Sequence, residues 1–263
     1  MAEVVEGGDP EAVVEGFVVQ EFDYNDVLLL QWRSWDFLNV TDNENQTLTS
    51  GLLTPFHVNA LEIDTDGNVF LSSRHTNELT KYHRLTGEII WRWTTNSYGD
   101  FEFTNDGGFS YQHDARRLEN GNILLFDNAN LSGQLSRAVE YSLDTVAWTA
   151  TLVWEYSHPL QLFGSSRGGA QRLPNGNTMI AWGNVCSDDY GVRIQEVGPA
   201  GQNILEFAFE LGHEGYRAPK QLYDPDNWVG GCGDLNAPNF NPNADYWLPE
   251  FCQEDLDGDG YSI

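Results

Sequence analysis

The chain has 263 residues, 40% of them hydrophobic and 13% aromatic, enough for one large core or two smaller ones. It contains no apolar run of the length a spanning helix needs, so membrane insertion is not expected. A formal charge of −27 repels nucleic acid and anionic lipid alike; neither is expected as a partner, and the charge reads as a strongly solvated exterior.

Residues 1–12 form an acidic lead-in without the basic and apolar regions of a signal peptide, so export would require a leader upstream of Met1. Two strand-like runs follow, residues 17–22 and 27–32, joined by residues 23–26. Residues 39–50 are polar and turn-rich and read as a loop.

A unit then recurs three times. His113-Asp-Ala-Arg-Arg-Leu-Glu-Asn-Gly-Asn122 aligns without a gap on Gly168-Gly-Ala-Gln-Arg-Leu-Pro-Asn-Gly-Asn177, and a looser copy runs from His57 to Asn68. Asn-Gly and Asp-Gly supply the positive-φ residues of tight hairpin turns. Each copy continues into an apolar second strand (residues 69–71, 123–126 and 178–182) and a third strand (79–83, 138–143 and 192–197). A fourth strand carries paired aromatics (90–93, 153–156 and 205–209). Four short strands per unit, at a period of roughly 50 residues, predict an all-β chain of β-propeller blades. Residues 13–221 hold three blades and half of a preceding one. Since a closed ring takes about 4–8 blades, further blades are expected before this sequence.

The composition changes after residue 221. Residues 222–263 form an irregular tail rich in Asn, Pro, Asp and Gly, bounded by Cys232 and Cys252, which could pair; Cys186 is left over. A cysteine pair in such a tail points to an exported protein rather than a cytosolic metal site. The tail ends with Asp255, Asp257 and Asp259, the alternating carboxylates that open a Ca²⁺ loop, so Ca²⁺ is the one metal expected; an acidic linker is the alternative.

Of the six histidines, His113 stands out. The matching place in the next unit is Gly168, so the repeat does not need an imidazole there. Six residues past the turn asparagine the units carry Arg74, Asn128 and Gly183, a second variable position. Strand alternation places His57 and Asn59 on one face and sends Arg74 and His75 to opposite faces. That argues against a zinc centre built from His57, His75 and His113. His83, His158 and His213 read as surface or loop residues.

The blocks His57-Val-Asn-Ala-Leu61, Leu71-Ser-Ser-Arg-His75, Tyr111-Gln-His-Asp-Ala115, Leu125-Phe-Asp-Asn128, Ser136-Arg-Ala-Val-Glu-Tyr141, Val153-Trp-Glu-Tyr156 and Tyr216-Arg-Ala218 resemble, in that order, the bacterial arylsulfotransferases. The resemblance covers about residues 13–220. It implies a six-bladed propeller of the periplasm or cell exterior that moves a sulfuryl group from an aryl sulfate to a phenol without PAPS or another cofactor. It also implies that His113 becomes sulfated, that His57 and Arg74 act beside it, and that Asn59 and Arg137 bind substrate. The family's further histidine from an earlier blade has no counterpart here. Neutral His113 as nucleophile, a forked Arg74 on the sulfuryl oxygens and His57 moving the phenol proton fit that chemistry. A non-catalytic binding propeller and a sulfatase-like hydrolase are the alternatives, and a homodimer remains open.

Overall fold

The computed structural model describes residues 4–220, 230–232, 237 and 246–247. Contacts divide the chain into residues 1–219 and residues 220–263.

The first unit is built mainly of antiparallel sheets. A parallel pair, β1 (Val13–Val14) with β4 (Leu52–Leu53), brackets the hairpin β2 (Val18–Phe22) and β3 (Leu28–Arg33). Three four-stranded meanders follow. The first is β5 (Val58–Ile63), β6 (Val69–Ser73), β7 (Glu78–Tyr82) and β8 (Ile89–Thr94). In the second, β10 (His113–Arg117), β11 (Ile123–Asp127), β12 (Arg137–Asp144) and β13 (Thr149–Ser157) are joined at the edge by the short parallel β9 (Glu102–Phe103). The third is β14 (Gly169–Arg172), β15 (Thr178–Ala181), β16 (Arg193–Val197) and β17 (Asn203–Ala208). The expected strands are therefore all present; β1, β4 and β9 are additions that no alternation marked.

The same turn closes the first hairpin of each of the three meanders. Gly67, Gly121 and Gly176 sit at φ 79°, 85° and 85°, and their N–H groups donate to the carbonyls of Asp64, Leu118 and Leu173. A Cβ at that φ costs energy that glycine avoids, so the turn residue fixes hairpin register.

Neighbouring sheets bury each other's faces. Phe70, Leu79 and Trp93 of the first meet Ile123, Leu125, Val139 and Tyr141 of the second. Leu124, Phe126 and Ala138 on the opposite face of the second meet Ala170, Ile180 and Val197 of the third, joined by Trp182 just past β15. Because one sheet is covered on both faces, its central strand β11 is wholly buried and reads as a continuous apolar run. Trp32 of the hairpin packs in the same way on Val69, Leu71 and Tyr82. Each such side chain contributes about 2 kcal/mol by leaving water. The first strands β5, β10 and β14 are neighbours, which brings the starts of three sheets to one place.

In the tail unit, Gly230–Gly231 pairs in parallel with Tyr246–Trp247. Cys232 is buried and disulfide-bonded, whereas Cys186 is exposed and free. Cys252 and the acidic positions Asp255, Asp257 and Asp259 lie outside the described residues. Among the described residues no helix is long and apolar enough to cross a membrane.

Candidate active site

His113 opens β10 and is only 2% exposed. Its Nδ1 lies 2.7 Å from Asn128 Oδ1 and 3.0 Å from the Tyr111 carbonyl, while its Nε2 accepts the Arg167 N–H at 3.1 Å. Two acceptors at Nδ1 and a donor at Nε2 leave one arrangement: the proton is on Nδ1 and the lone pair on Nε2. A protonated ring would point an Nε2–H at a backbone N–H. Burial, and secondarily the charge of Arg74, lowers the His113 pKa to about 4, so the ring is neutral and nucleophilic at neutral pH.

His75 is also buried; its Nδ1 donates to the Thr54 carbonyl at 2.6 Å, and burial lowers its pKa to about 4. Both imidazoles titrate near 6.5 in the unfolded chain and near 4 in the folded one. The unfolded state thus binds more protons between those values, and stability falls as pH drops from about 6.5 to 4, then levels. Urea midpoints measured across this window should show that decline, and His75→Phe should make it shallower.

Arg74 follows β6. Its guanidinium carbon lies 4.3 Å from the centre of the Tyr111 ring, and Nη2 donates to the Ser165 carbonyl at 3.0 Å. Its Nε is buried and bonded to nothing. Among the described residues every other arginine has a carboxylate at ion-pair distance, and Arg74 has none. In a chain with 40 acidic residues, a part-buried arginine without a carboxylate retains an uncompensated charge with which an anion can pair.

His57 lies at the solvent-exposed mouth of this group, its ring 4.8 Å from that of His75. Partial burial, reinforced by Arg74, lowers its pKa. Asn59 donates Nδ2 to the Gln112 carbonyl at 2.7 Å, and its Oδ1 is buried without a partner. Counted back from the turn asparagines Asn68, Asn122 and Asn177, the same distance leads to Asn59, His113 and Gly168, so Asn59, not His57, is the counterpart of His113. Tyr216 reaches the same place from the segment after β17: its carbonyl accepts the Gly168 N–H, and its ring centre is 6.4 Å from that of His113.

Simple alternation fails here. His57 has φ 45°, and Asn59 is the extra residue where β5 slips register against β6. Because β6 ends at Ser73, Arg74 and His75 lie in a turn, and both side chains flank Tyr111 rather than pointing apart. Nor are the glycines of the third sheet neutral placeholders. Gly168 has φ 97° with the Phe126 ring 2.5 Å from where a Cβ would stand, and a Cβ on Gly183 would meet the Ser166 carbonyl at 2.5 Å. Left-handed backbone at His57, Asn77, Tyr111, Asp114 and Arg167 gathers around this one group, the kind of stored strain that surrounding structure must hold in place.

Arg137 is placed elsewhere. Its guanidinium is taken up by Asp127 (3.0 Å), Asp106 (2.8 Å), Glu155 (2.8 Å) and the Gly108 carbonyl, which engage four of its five N–H donors. It is a structural clamp for the second sheet. Arg137→Ala would leave Asp127 buried and unpaired and should lower stability by about 3 kcal/mol, read as an earlier urea midpoint.

The arylsulfotransferase (ASST) family model matches residues 21–209, which include all the residues gathered around His113 except Tyr216. The chain belongs to the arylsulfotransferase family. No curated protein matches it. This arylsulfotransferase chain is 12% identical to a Bacteroides caccae protein of unknown function, covering 74% of this chain and 60% of that one with a TM-score of 0.46. With a protein of unknown function from Dyadobacter fermentans the figures are 13%, 73%, 55% and 0.41. A quinohemoprotein alcohol dehydrogenase from Pseudomonas putida gives 13%, 76%, 34% and 0.40. The chain thus spans about 60% or less of these proteins' lengths.

Of the expected site, His113, His57, Arg74 and Asn59 come together in the arylsulfotransferase chain and Arg137 does not. Asn128 and the Arg167 amide, which complete the surroundings of His113, were not picked out. Asn128 did occupy a position already marked as variable, and that was the signal available.

Proposed function

We propose that this arylsulfotransferase chain moves a sulfuryl group from an aryl sulfate to a phenol through a sulfohistidine at His113. We read its sheets as blades of a larger propeller in an exported protein, and its catalysis as independent of PAPS or another cofactor. The unpaired guanidinium of Arg74 beside a neutral imidazole carries the reading. A cation without a carboxylate suits the sulfuryl oxygens, and an uncharged nitrogen beside it suits attack on sulfur.

In the first half-reaction the Nε2 lone pair forms the N–S bond as the S–O(aryl) bond breaks. The phenolate leaves with the bonding pair, and Nδ1 keeps its proton. In the second, the acceptor phenol attacks sulfur, the N–S bond returns its electrons to Nε2, and His57 takes the phenol proton. That proton is available to the next leaving phenolate, so the cycle balances. Donor and acceptor use one nitrogen in turn, which gives ping-pong kinetics.

Intact mass after mixing with a chromogenic aryl sulfate tests this. A gain of about 80 Da mapping to His113, discharged by added phenol, is the expected result. An adduct on another residue, or discharge indifferent to phenol, overturns it. Since His113 stays neutral down to its lowered pKa, adduct formation should be flat from pH 7 to about 5 and fall with a midpoint near 4.

A further inference from the structure

The atom that must attack sulfur is not free. Nε2 of His113 carries the Arg167 N–H, and the loop of residues 164–168 that provides it is tied to the site at several points. Arg74 Nη2 and Asn130 Nδ2 both donate to the Ser165 carbonyl, at 3.0 and 2.9 Å. The side chain that links this loop to the nucleophile is Asn128.

Asn128 follows β11 and is fully buried. Its Nδ2 donates to two carbonyls of the loop, Gly164 at 2.6 Å and Arg167 at 3.0 Å. Those two bonds settle which end of the amide is which, since a flipped amide would set its oxygen against two carbonyl oxygens. Oδ1 is thereby aimed at His113 Nδ1, 2.7 Å away. One side chain therefore holds both the far nitrogen of the nucleophile and the loop that covers its near nitrogen. A ligand's second nitrogen held by a fixed acceptor is how proteins select an imidazole tautomer.

We propose that Asn128 is a positioning residue: it keeps the proton of His113 on Nδ1 and clamps the 164–168 loop so that the Arg167 N–H holds Nε2 in line until the anionic donor displaces it. The inference rests on His113 being the attacking residue. Without the Asn128 acceptor, Nδ1–H keeps only the longer bond to the Tyr111 carbonyl. The alternative tautomer, with its proton on Nε2 and no lone pair toward the substrate, then becomes populated.

The test is ¹⁵N NMR of histidine-labelled protein, paired with the rate of single-turnover adduct formation from 4-nitrophenyl sulfate. In the unchanged protein His113 should show the neutral Nδ1–H signature from pH 7 to about 5. In Asn128→Ala the Nε2–H signature should appear and the adduct rate should fall about 10- to 100-fold. Asn128→Asp keeps an acceptor, so it should retain the Nδ1–H tautomer. Its carboxylate also stabilises the imidazolium against the opposing charges of Arg74 and His57, so the acid limb should move up by about a pH unit or more. A folded Asn128→Ala that keeps the Nδ1–H signature overturns the proposal. So does an unmoved acid limb in Asn128→Asp, which decides the matter if the alanine variant fails to fold. If the tautomer shifts as stated while even the unchanged protein forms no adduct, Asn128 keeps its assignment and the sulfohistidine reading is what fails.

Discussion

His113→Ala should form no 80-Da adduct and should lose turnover by about four decades or more, the scale on which removal of a covalent nucleophile is felt. The size of the effect follows from the surroundings. His57 is exposed and His75 has Nδ1 bonded to the Thr54 carbonyl, whereas His113 has its tautomer fixed by Asn128 and its Nε2 aimed at the loop backbone. Alanine also leaves the Asn128 oxygen and the Arg167 N–H without their partner, at a cost of about 1–3 kcal/mol. His113→Gln, which keeps a polar group in the place, controls for that loss; it should fold well and remain inactive. Turnover within tenfold of the unchanged protein in either variant would remove His113 from the mechanism.

Arg74→Ala should separate function from stability. Losing one donor to developing negative charge costs about 3–4 kcal/mol of transition-state binding, or about two to three decades in kcat/KM. Yet Arg74 has no carboxylate to abandon, and its Nε has no partner at all. Truncation therefore takes away a desolvated charge, and the urea midpoint should hold or rise. Arg137 is the contrast: there the guanidinium holds three carboxylates, and its loss should destabilise the chain. Because Arg74 lowers the pKa of both His113 and His57, its removal should also shift the acid limb of adduct formation upward. Arg74→Lys returns the charge without the planar fork and should recover activity only in part. A destabilised Arg74→Ala with kcat/KM near normal would mean that this arginine, too, is a clamp.

Much of the fold was legible because the sheets repeat one local code. Asp-Gly or Asn-Gly sets each first turn, and apolar runs mark strands buried on both faces; of the paired aromatics, Trp91 and Trp93 are buried between sheets whereas Phe207 and Phe209 are exposed. The site was legible only as residue types at variable positions of that repeat. Its geometry depends on places where the repeat breaks: a bulge at Asn59, positive φ at His57 and Tyr111, and a turn that begins at Arg74. Period-2 reasoning assumes regular pleating, so it sent His75 away from Arg74 when both in fact flank Tyr111. Arg137 is a different case. An arginine looks the same in sequence whether its five donors are free or spent, and only the folded chain puts Asp106, Asp127 and Glu155 around it.

Sequence by itself determined the all-β class and the hairpin positions, since these rest on turn chemistry and hydrophobic order between residues close along the chain, and it carried the family in the motif blocks that resemble the arylsulfotransferases. Tertiary structure alone decided the protonation of His113 and the lack of a carboxylate beside Arg74. Both depend on desolvation and on partners more than 35 residues away, the Arg167 amide for one and the Ser165 carbonyl for the other, which come into contact only once the sheets have packed.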